Sequence, residues 1–388
     1  MKALSGITVI DLTEGMSGPY CSMMMADLGA EVIKVEPLGG DIIRNTAPVV
    51  QGGNPVFTAY NRNKKSIALD IKKPEGMALV KKLLEKADLL LDSYQPGVME
   101  ELGLDYDTLK AEYPRLVCVS LTGYGKEGPY RDRPVYEGTL QAECGMTQSL
   151  INDSNGTPYY VGGNITQYAS AYVCFTASLA ALHQVKNTGC GQKVDVNMYS
   201  TLLTMFSLAI NDYLFNGVEK PIDGNAPEGF VRSKDGWLRI SFGDQPMWER
   251  AVKLIDDPIM HEEQYNTAEG REPARKLLLS RVEAWTLQRT SAEAVKAFEE
   301  AGLPGGIVRT TKDLRVDPHL VARNHVVEID VDGIGKLPYF ASPFRIRSTP
   351  IEYNRAPALG EHSDEILEKL ASLSQEEIAV LKKNGVVA

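Results

Sequence analysis

Residues 7–36 read ITVIDLTEGMSGPYCSMMMADLGAEVIKVE, and the fold follows from that stretch. Ile7–Leu12 is a strand pattern that runs out into polar residues, and Gly15 to Gly18 makes a turn. Pro19 through Leu28 is a Met-rich helix, and Gly29 stands where a helix ends in the left-handed conformation. Glu31–Glu36 then alternates as a second strand. The rhythm returns downstream: a strand over 66–71, a helix over 74–86 opened by Pro and acids, and a buried strand over 88–92. A helix over 107–113 and a strand over 116–121 follow. Strand–helix repetition of this kind predicts an α/β fold, a parallel sheet of Rossmann-like topology covered on both faces.

Further along, Ser170 through Lys186 reads as a long Ala-rich helix, and 194–206 continues with apolar positions at helical spacing. Asn216 to Glu228 reads as a linker. Beyond it, Phe230-Val231 and 237–241 flank Ser-Lys-Asp-Gly, a hairpin signal, and helices begin at Gln245, Arg271 and Ser291. The tail from His325 carries strand-like segments and a final helix over 363–373. A large domain over 1–215 plus 326–388, with a smaller one over 216–325, is the expected division. A chain of 388 residues is long enough for both.

The bulk chemistry narrows the function. Net charge is −10, so a nucleic-acid partner, which needs a concentrated basic surface, is not expected. Five scattered cysteines (Cys21, Cys118, Cys144, Cys174, Cys190) form no CxxC pair, and five histidines show no metal-ligand spacing. Neither a disulfide framework nor a metal site is expected. No stretch approaches the ~20 apolar residues of a membrane span. Without a signal-peptide pattern at Met1, the expected address is cytoplasmic.

Four segments sit where an α/β sheet binds ligands. The turn Glu14-Gly15-Met16-Ser17-Gly18-Pro19 follows the first strand but is not GxGxxG, so a ligand loop and a plain connector both fit. Asn61 to Ser66 holds Arg62, Lys64 and Lys65, which fit either a phosphate-bearing ligand or a solvated charge run. Asp92 to Gly97 ends a buried strand, and Tyr94 there can stack on a flat ring or simply pack. A glycine-punctuated loop over 123–137 carries Arg131, Arg133 and Glu137; the last is suited to acid–base work or to capping a helix. No Walker loop, nucleophile elbow or Ser/His/Asp order is present.

Several segments together resemble one family. The opening VIDLT and ADLGAEVIKVEP, then NRNKKSIALDIK from Asn61, YQPGVMEELGLDYDTL from Tyr94 and LTGYGKEGPYRDRPVYE from Leu121 are in family order. TGCGQKVDVNMYSTLL from Thr188 and APALGEHSDEIL from Ala356 complete the match. The chain is identified as a member of the class III (CaiB/BaiF-type) CoA-transferases, which are related to the α-methylacyl-CoA racemases. The resemblance implies a Rossmann-like large domain built from both chain ends, a small domain, and two subunits interlocked like rings. It implies no permanently bound cofactor. Acyl-CoA is the substrate, its thioester lies between the domains, and a carboxylic acid accepts the CoA.

In this family an aspartate attacks the acyl-CoA carbonyl, giving a mixed anhydride and then an enzyme–CoA thioester. Here the run Val161-Gly162-Gly163-Asn164-Ile165-Thr166-Gln167, counted back from Leu179-Ala180-Ala181-Leu182, puts Gln167 at that position. Asp153 lies upstream, in a loop of variable length. Glu137 matches a family acid and is the expected substitute nucleophile; Met16 occupies the place of an active-site glutamine. Lys72 keeps a CoA-contacting cation, whereas Glu101 and Pro134 replace two others. CoA contacts are expected at Met16, Ser17, Leu69, Lys72, Ser93, Tyr94, Gln95, Val135 and Tyr136. For the racemase pattern, Tyr136 replaces the catalytic histidine and Gln167 its aspartate partner. The expectations are a CoA-transferase acting as a homodimer, a catalytically silent subunit paired with an aspartate-bearing paralogue, or an acyl-CoA isomerase or racemase. Formate and oxalate are not the expected acids, because no glycine-rich loop stands out between Asn216 and Phe230.

Overall fold

A computed structural model describes residues 1–46, 54–147, 157–205, 207–217, 226–331 and 333–388. Asp153, and residues 218–225 of the linker, where no glycine-rich loop is expected, lie outside the described residues. The chain forms two compact units, Met1–Lys220 with Val321–Ala388, and Pro221–Leu320.

The larger unit is built on six parallel strands: β1 Thr8–Asp11, β2 Glu31–Glu36, β3 Lys65–Ala68, β4 Leu89–Asp92, β5 Val117–Thr122 and β6 Lys193–Asn197. They are ordered β3-β2-β1-β4-β5-β6. Val9, Ile10, Leu89 and Leu91 have no exposed surface, as expected of central strands covered on both faces. Helix α1 (Ser17–Asp27) follows β1, and α2 (Pro55–Asn61) precedes β3. Two short helices, α3 (Val98–Glu101) and α4 (Tyr106–Leu109), link β4 to β5. Helix α5 (Glu137–Glu143) and the 24-residue α6 (Ile165–Thr188) lie between β5 and β6. Among the described residues no helix is long and apolar enough to cross a membrane.

Four expectations need correction. The segment from Val194 does not begin a helix: β6 comes first, as an edge strand that among the described residues pairs with β5 alone, and helix α7 starts at Met198. The pattern Lys193-Val194-Asp195-Val196-Asn197 alternates as an edge strand should. Helix α6 begins five residues earlier than expected, because Gly163 and Asn164, both at positive φ (83° and 56°), turn the chain straight into it. The helix expected over 107–113 is the single turn α4. The helix expected over 363–373 ends at Lys369 (α8, Ser363–Lys369) and is not the last: α9 (Gln375–Lys383) follows it and opens with a Ser374/Glu377 capping box. This C-terminal segment closes the β3 edge, where the Asp70 amide donates to Val386 O and Val387 bridges Leu69.

The smaller unit packs one face of an antiparallel sheet, Glu228–Arg232, Trp237–Ser241 and Gly305–Ile307, on a core of Trp248, Phe242 and Phe298. Val231 pairs with Leu238 across the expected hairpin. Arg271 is 1% exposed and donates to the carbonyls of Ala226, Gly243 and Tyr265, tying three loops together.

Beneath the carboxyl ends of β1 and β2 lies a buried ionic network. Lys64 Nζ, with no exposed surface, meets Asp11 Oδ2 at 3.0 Å and donates to Asn61 Oδ1 and Pro19 O. Asp11 also accepts from Ser22 and Thr13. Lys34 Nζ pairs with Asp41 at 2.8 Å and donates to Thr13 O. Glu36 receives Arg44 at both oxygens and Ser66 Oγ. Burial alone raises the Asp11 carboxyl, but Lys64, Lys34 and the two hydroxyls outweigh it and hold it far below the carboxylate range.

Two of the three 61–66 cations, Arg62 and Lys64, fit neither reading. Arg62 is buried against Asp27, Lys64 against Asp11, and Lys65 joins Glu31 and Glu365. Arg62 and Lys64 are held by internal acids, whereas Lys65 stays partly exposed, its side chain 30% accessible beside two partly exposed acids. We predict that Lys64→Met, which leaves Asp11 buried with one cation fewer, lowers stability by about 3–5 kcal/mol in urea unfolding.

Candidate active site

The strand order leaves a crevice. The chain steps outward from β1 to β3, returns to β4 and steps outward the other way, so the loops leaving β1 and β4 diverge at their carboxyl ends. A cavity of about 310 Å³ sits there. Its walls are Glu14 to Ser17 after β1, Ser93 to Pro96 after β4, Leu121 to Gly123 at the end of β5, and Met198 after β6. Arg131, Arg133, Val135 and Gln167 complete it. A second cavity of about 420 Å³, bounded by residues from the ends of β2 and β3, shares Glu14 and Tyr94 as a common wall and includes Leu69 and Lys72.

Local geometry explains the turn after β1. Gly15 takes a φ of 80°, and a Cβ on Gly18 would lie 2.4 Å from Thr13 Cβ, so neither position tolerates a side chain. The Glu14 amide donates to Ser93 Oγ across the crevice at 3.2 Å, and the Gly15 amide to Asp41 Oδ1 at 3.4 Å. Helix α1 therefore starts at the cavity wall, with Met16 as its cap and no side chain capping it. Its positive end faces the space where a ligand would sit.

The segment bearing Gln167 is fastened to α5. Gln141, fully buried, donates to Val161 O and accepts from the Val161 amide. Glu137 Oε1 accepts from Gln141 Nε2 at 2.7 Å and from the Thr166 amide at 2.8 Å. Asn164, the cap of α6, makes no side-chain capping bond, so Glu137 supplies the missing acceptor from another helix. One residue later, Gln167 lines the cavity. On the other side, Tyr168 bonds Tyr60 between hydroxyls at 2.9 Å and meets the Tyr20 ring edge-on, packing α6 against α1 and α2.

Seven of the eleven residues singled out from sequence line the first cavity: Met16, Ser17, Ser93, Tyr94, Gln95, Val135 and Gln167. Leu69 and Lys72 line the second, with Tyr94 again. Two stand apart. Tyr136 is 70% exposed and Glu137 is engaged in capping, and neither is among the wall residues of either cavity. Sequence reasoning passed over Glu14 as an individual residue and left Arg131 and Arg133 within a loop. The signal was present for Glu14, an acid in the first turn after the first strand. Arg133 lies over the Tyr130 ring at 3.7 Å, and Arg131 pairs with Asp132 at 3.0 Å.

The fold and cavity define an α/β protein with a partly polar cavity at the carboxyl edge of a parallel sheet. Comparison with known proteins is specific. The CoA-transferase family III profile matches residues 4–363. Succinyl-CoA–D-citramalate CoA-transferase of Chloroflexus aurantiacus is 31% identical, over 100% of this chain and 98% of the relative. The succinyl-CoA–L-malate CoA-transferase alpha subunit from the same species is 32% identical, over 99% and 92%. A CaiB/BaiF family protein from Brucella suis superposes with a TM-score of 0.85 at 29% identity, covering 95% of this chain and 99% of that one. The chain belongs to CoA-transferase family III, whose reaction moves CoA between an acyl-CoA thioester and a carboxylic acid.

Glu137→Ala is expected to remove an acceptor shared by two donors. A loss of about 1–3 kcal/mol in stability should accompany faster hydrogen exchange at the Thr166 and Gln167 amides.

Proposed function

We propose that this chain binds an acyl-CoA with the thioester in the cavity beside Gln167 and the remainder of CoA extending past Tyr94 toward Lys72, and that it transfers CoA to a small carboxylic acid. The observation that carries this is the gathering of nine of the eleven expected residues on two cavities with a shared wall. An unpaired thioester carbonyl needs a hydrogen-bond donor as negative charge builds on its oxygen, and the Gln167 carboxamide supplies one. The amide carries no negative charge and is a poor nucleophile, so Gln167 is not the covalent carrier. The N-terminus of α1 and the guanidinium groups of Arg131 and Arg133 favour the charges of acid and thiolate.

The assembly proposed is a homodimer. It is supported by Tyr172, Val173, Met205, Tyr213, Leu214 and Phe215, exposed apolar residues of the 165–216 helices of the kind a second subunit would cover. A second reading makes the chain the silent partner of an aspartate-bearing paralogue. It is favoured by Gln167 itself and by the relative named as an alpha subunit. Purified chain that exchanges CoA as a homodimer would sink it; activity appearing only on adding the paralogue would sink the first.

Titration calorimetry with CoA tests binding: Lys72→Ala should weaken it roughly tenfold, the loss of one charge-assisted contact. Gln167→Asp tests the site. Incubated with acyl-CoA and hydroxylamine, this variant should yield a hydroxamate at position 167 that the parent protein never shows.

A further inference from the structure

Transfer through an enzyme-bound acyl group requires a carboxylate within reach of the thioester, and Gln167 does not provide one. Among the described residues lining the cavity that contains Gln167, Glu14 is the one acid. It also forms part of the wall shared with the cavity of Lys72, so it lies where a CoA chain passing between the two spaces would run.

Its backbone is fixed. The Glu14 amide is held by Ser93 Oγ from the far side of the crevice, and the next amide, Gly15, by the buried Asp41. The left-handed Gly15 directly after it turns the chain into α1, which leaves Glu14 at the rim of the turn. Its carboxylate is solvent-accessible and makes no hydrogen bond or ion pair among the described residues. Each neighbouring acid is held by at least one donor. Glu137 Oε1 is taken by two donors, while its Oε2 is buried without a partner among the described residues. Asp11 is held by Lys64 and hydroxyls, and Glu36 by Arg44 and Ser66. Asp92 is held by Ser120 with Lys126 at 3.8 Å, its Oδ1 likewise buried without a partner among the described residues. Neither Glu137 nor Asp92 is among the cavity's wall residues.

Resting on the reading of this cavity as the thioester site, we propose that Glu14 is the nucleophile that carries CoA in this chain. A Glu14 carboxylate oxygen attacks the thioester carbonyl carbon; the new C–O bond forms as the C–S bond breaks, and the electron pair leaves on the CoA sulfur. The thiolate then attacks the glutamyl carbonyl carbon of the mixed anhydride. This forms a glutamyl–CoA thioester and expels the donor acid as its carboxylate. The acceptor carboxylate attacks that thioester and the two steps run in reverse, regenerating the Glu14 carboxylate. No proton, oxidant or metal enters the balance. Partial burial and the Asp41 carboxylate push the Glu14 carboxyl upward, with Lys34 opposing and Glu36 adding, and a more basic carboxylate is the stronger nucleophile.

The test uses the full chain with acetyl-, succinyl- and benzoyl-CoA in turn, each with hydroxylamine or borohydride, followed by peptide mass spectrometry. The expected result is a hydroxamate or reduced carboxyl on Glu14 with at least one donor. Glu14→Gln should abolish the label and lower CoA exchange by at least about 10³-fold. It should leave CoA affinity within about twofold, and Glu14→Asp should restore part of the label. If CoA binds but the label falls on Glu137, on another acid or on none, Glu14 is not the carrier, whatever the activity. If CoA fails to bind at all, the reading of the cavity fails first and this proposal falls with it.

Discussion

Two lysines held away from water organise the end of the sheet where the ligand cavity forms. Lys64, just before β3, and Lys34 of β2 reach under the first strand–helix turn and hold Asp11, Asp41, two backbone carbonyl oxygens and the Asn61 side-chain amide oxygen in place. Such charges contribute little net stability, because desolvation offsets their attraction. Their effect is geometric. Each donor has its acceptor in one arrangement, so the turn carrying Glu14, Met16 and Ser17 has one place to be. Arg44 extends the network through Glu36 to the carbonyl of Pro357, so the C-terminal segment depends on it as well.

A second anchoring works on the opposite wall. A helix that begins with two left-handed residues and an uncapped Asn164 leaves amides without partners, and Glu137 reaches over to satisfy one. Because Gln141 fastens Val161 in the same way, Gln167 is placed by α5 as much as by its own helix. The cavity is thus framed by two helix N-termini, each fixed from outside itself. This suits a reaction in which negative charge moves between a carboxylate, a carbonyl oxygen and a sulfur.

Most of the sheet was legible in the sequence because buried parallel strands are short apolar runs separated by helical periodicity. The edge strand β6 was not, since Lys193, Asp195 and Asn197 dilute its apolar content and a helix follows without a break. The start of α6 was hidden for a similar reason. Its cap is a glutamate 27 residues upstream of Asn164, and no local pattern announces a cap delivered from another helix. In the basic run at 61–66, Arg62 and Lys64 are buried pairs and Lys65 is a partly exposed one. Whether a lysine meets phosphate, water or a buried acid depends on partners 30 to 300 residues away.

By itself, then, the sequence determined the α/β class, most of the strand–helix order and the family. Those are matters of local pattern and side-chain identity, and they need no knowledge of neighbours. Tertiary structure alone decided which acid lines the cavity. Glu137, the acid that resemblance singled out, is engaged as a cap, whereas Glu14, an unremarked member of a turn, stands open at the cavity. A carboxylate's chemistry is set by the donors that surround it, and those donors come from distant parts of the chain.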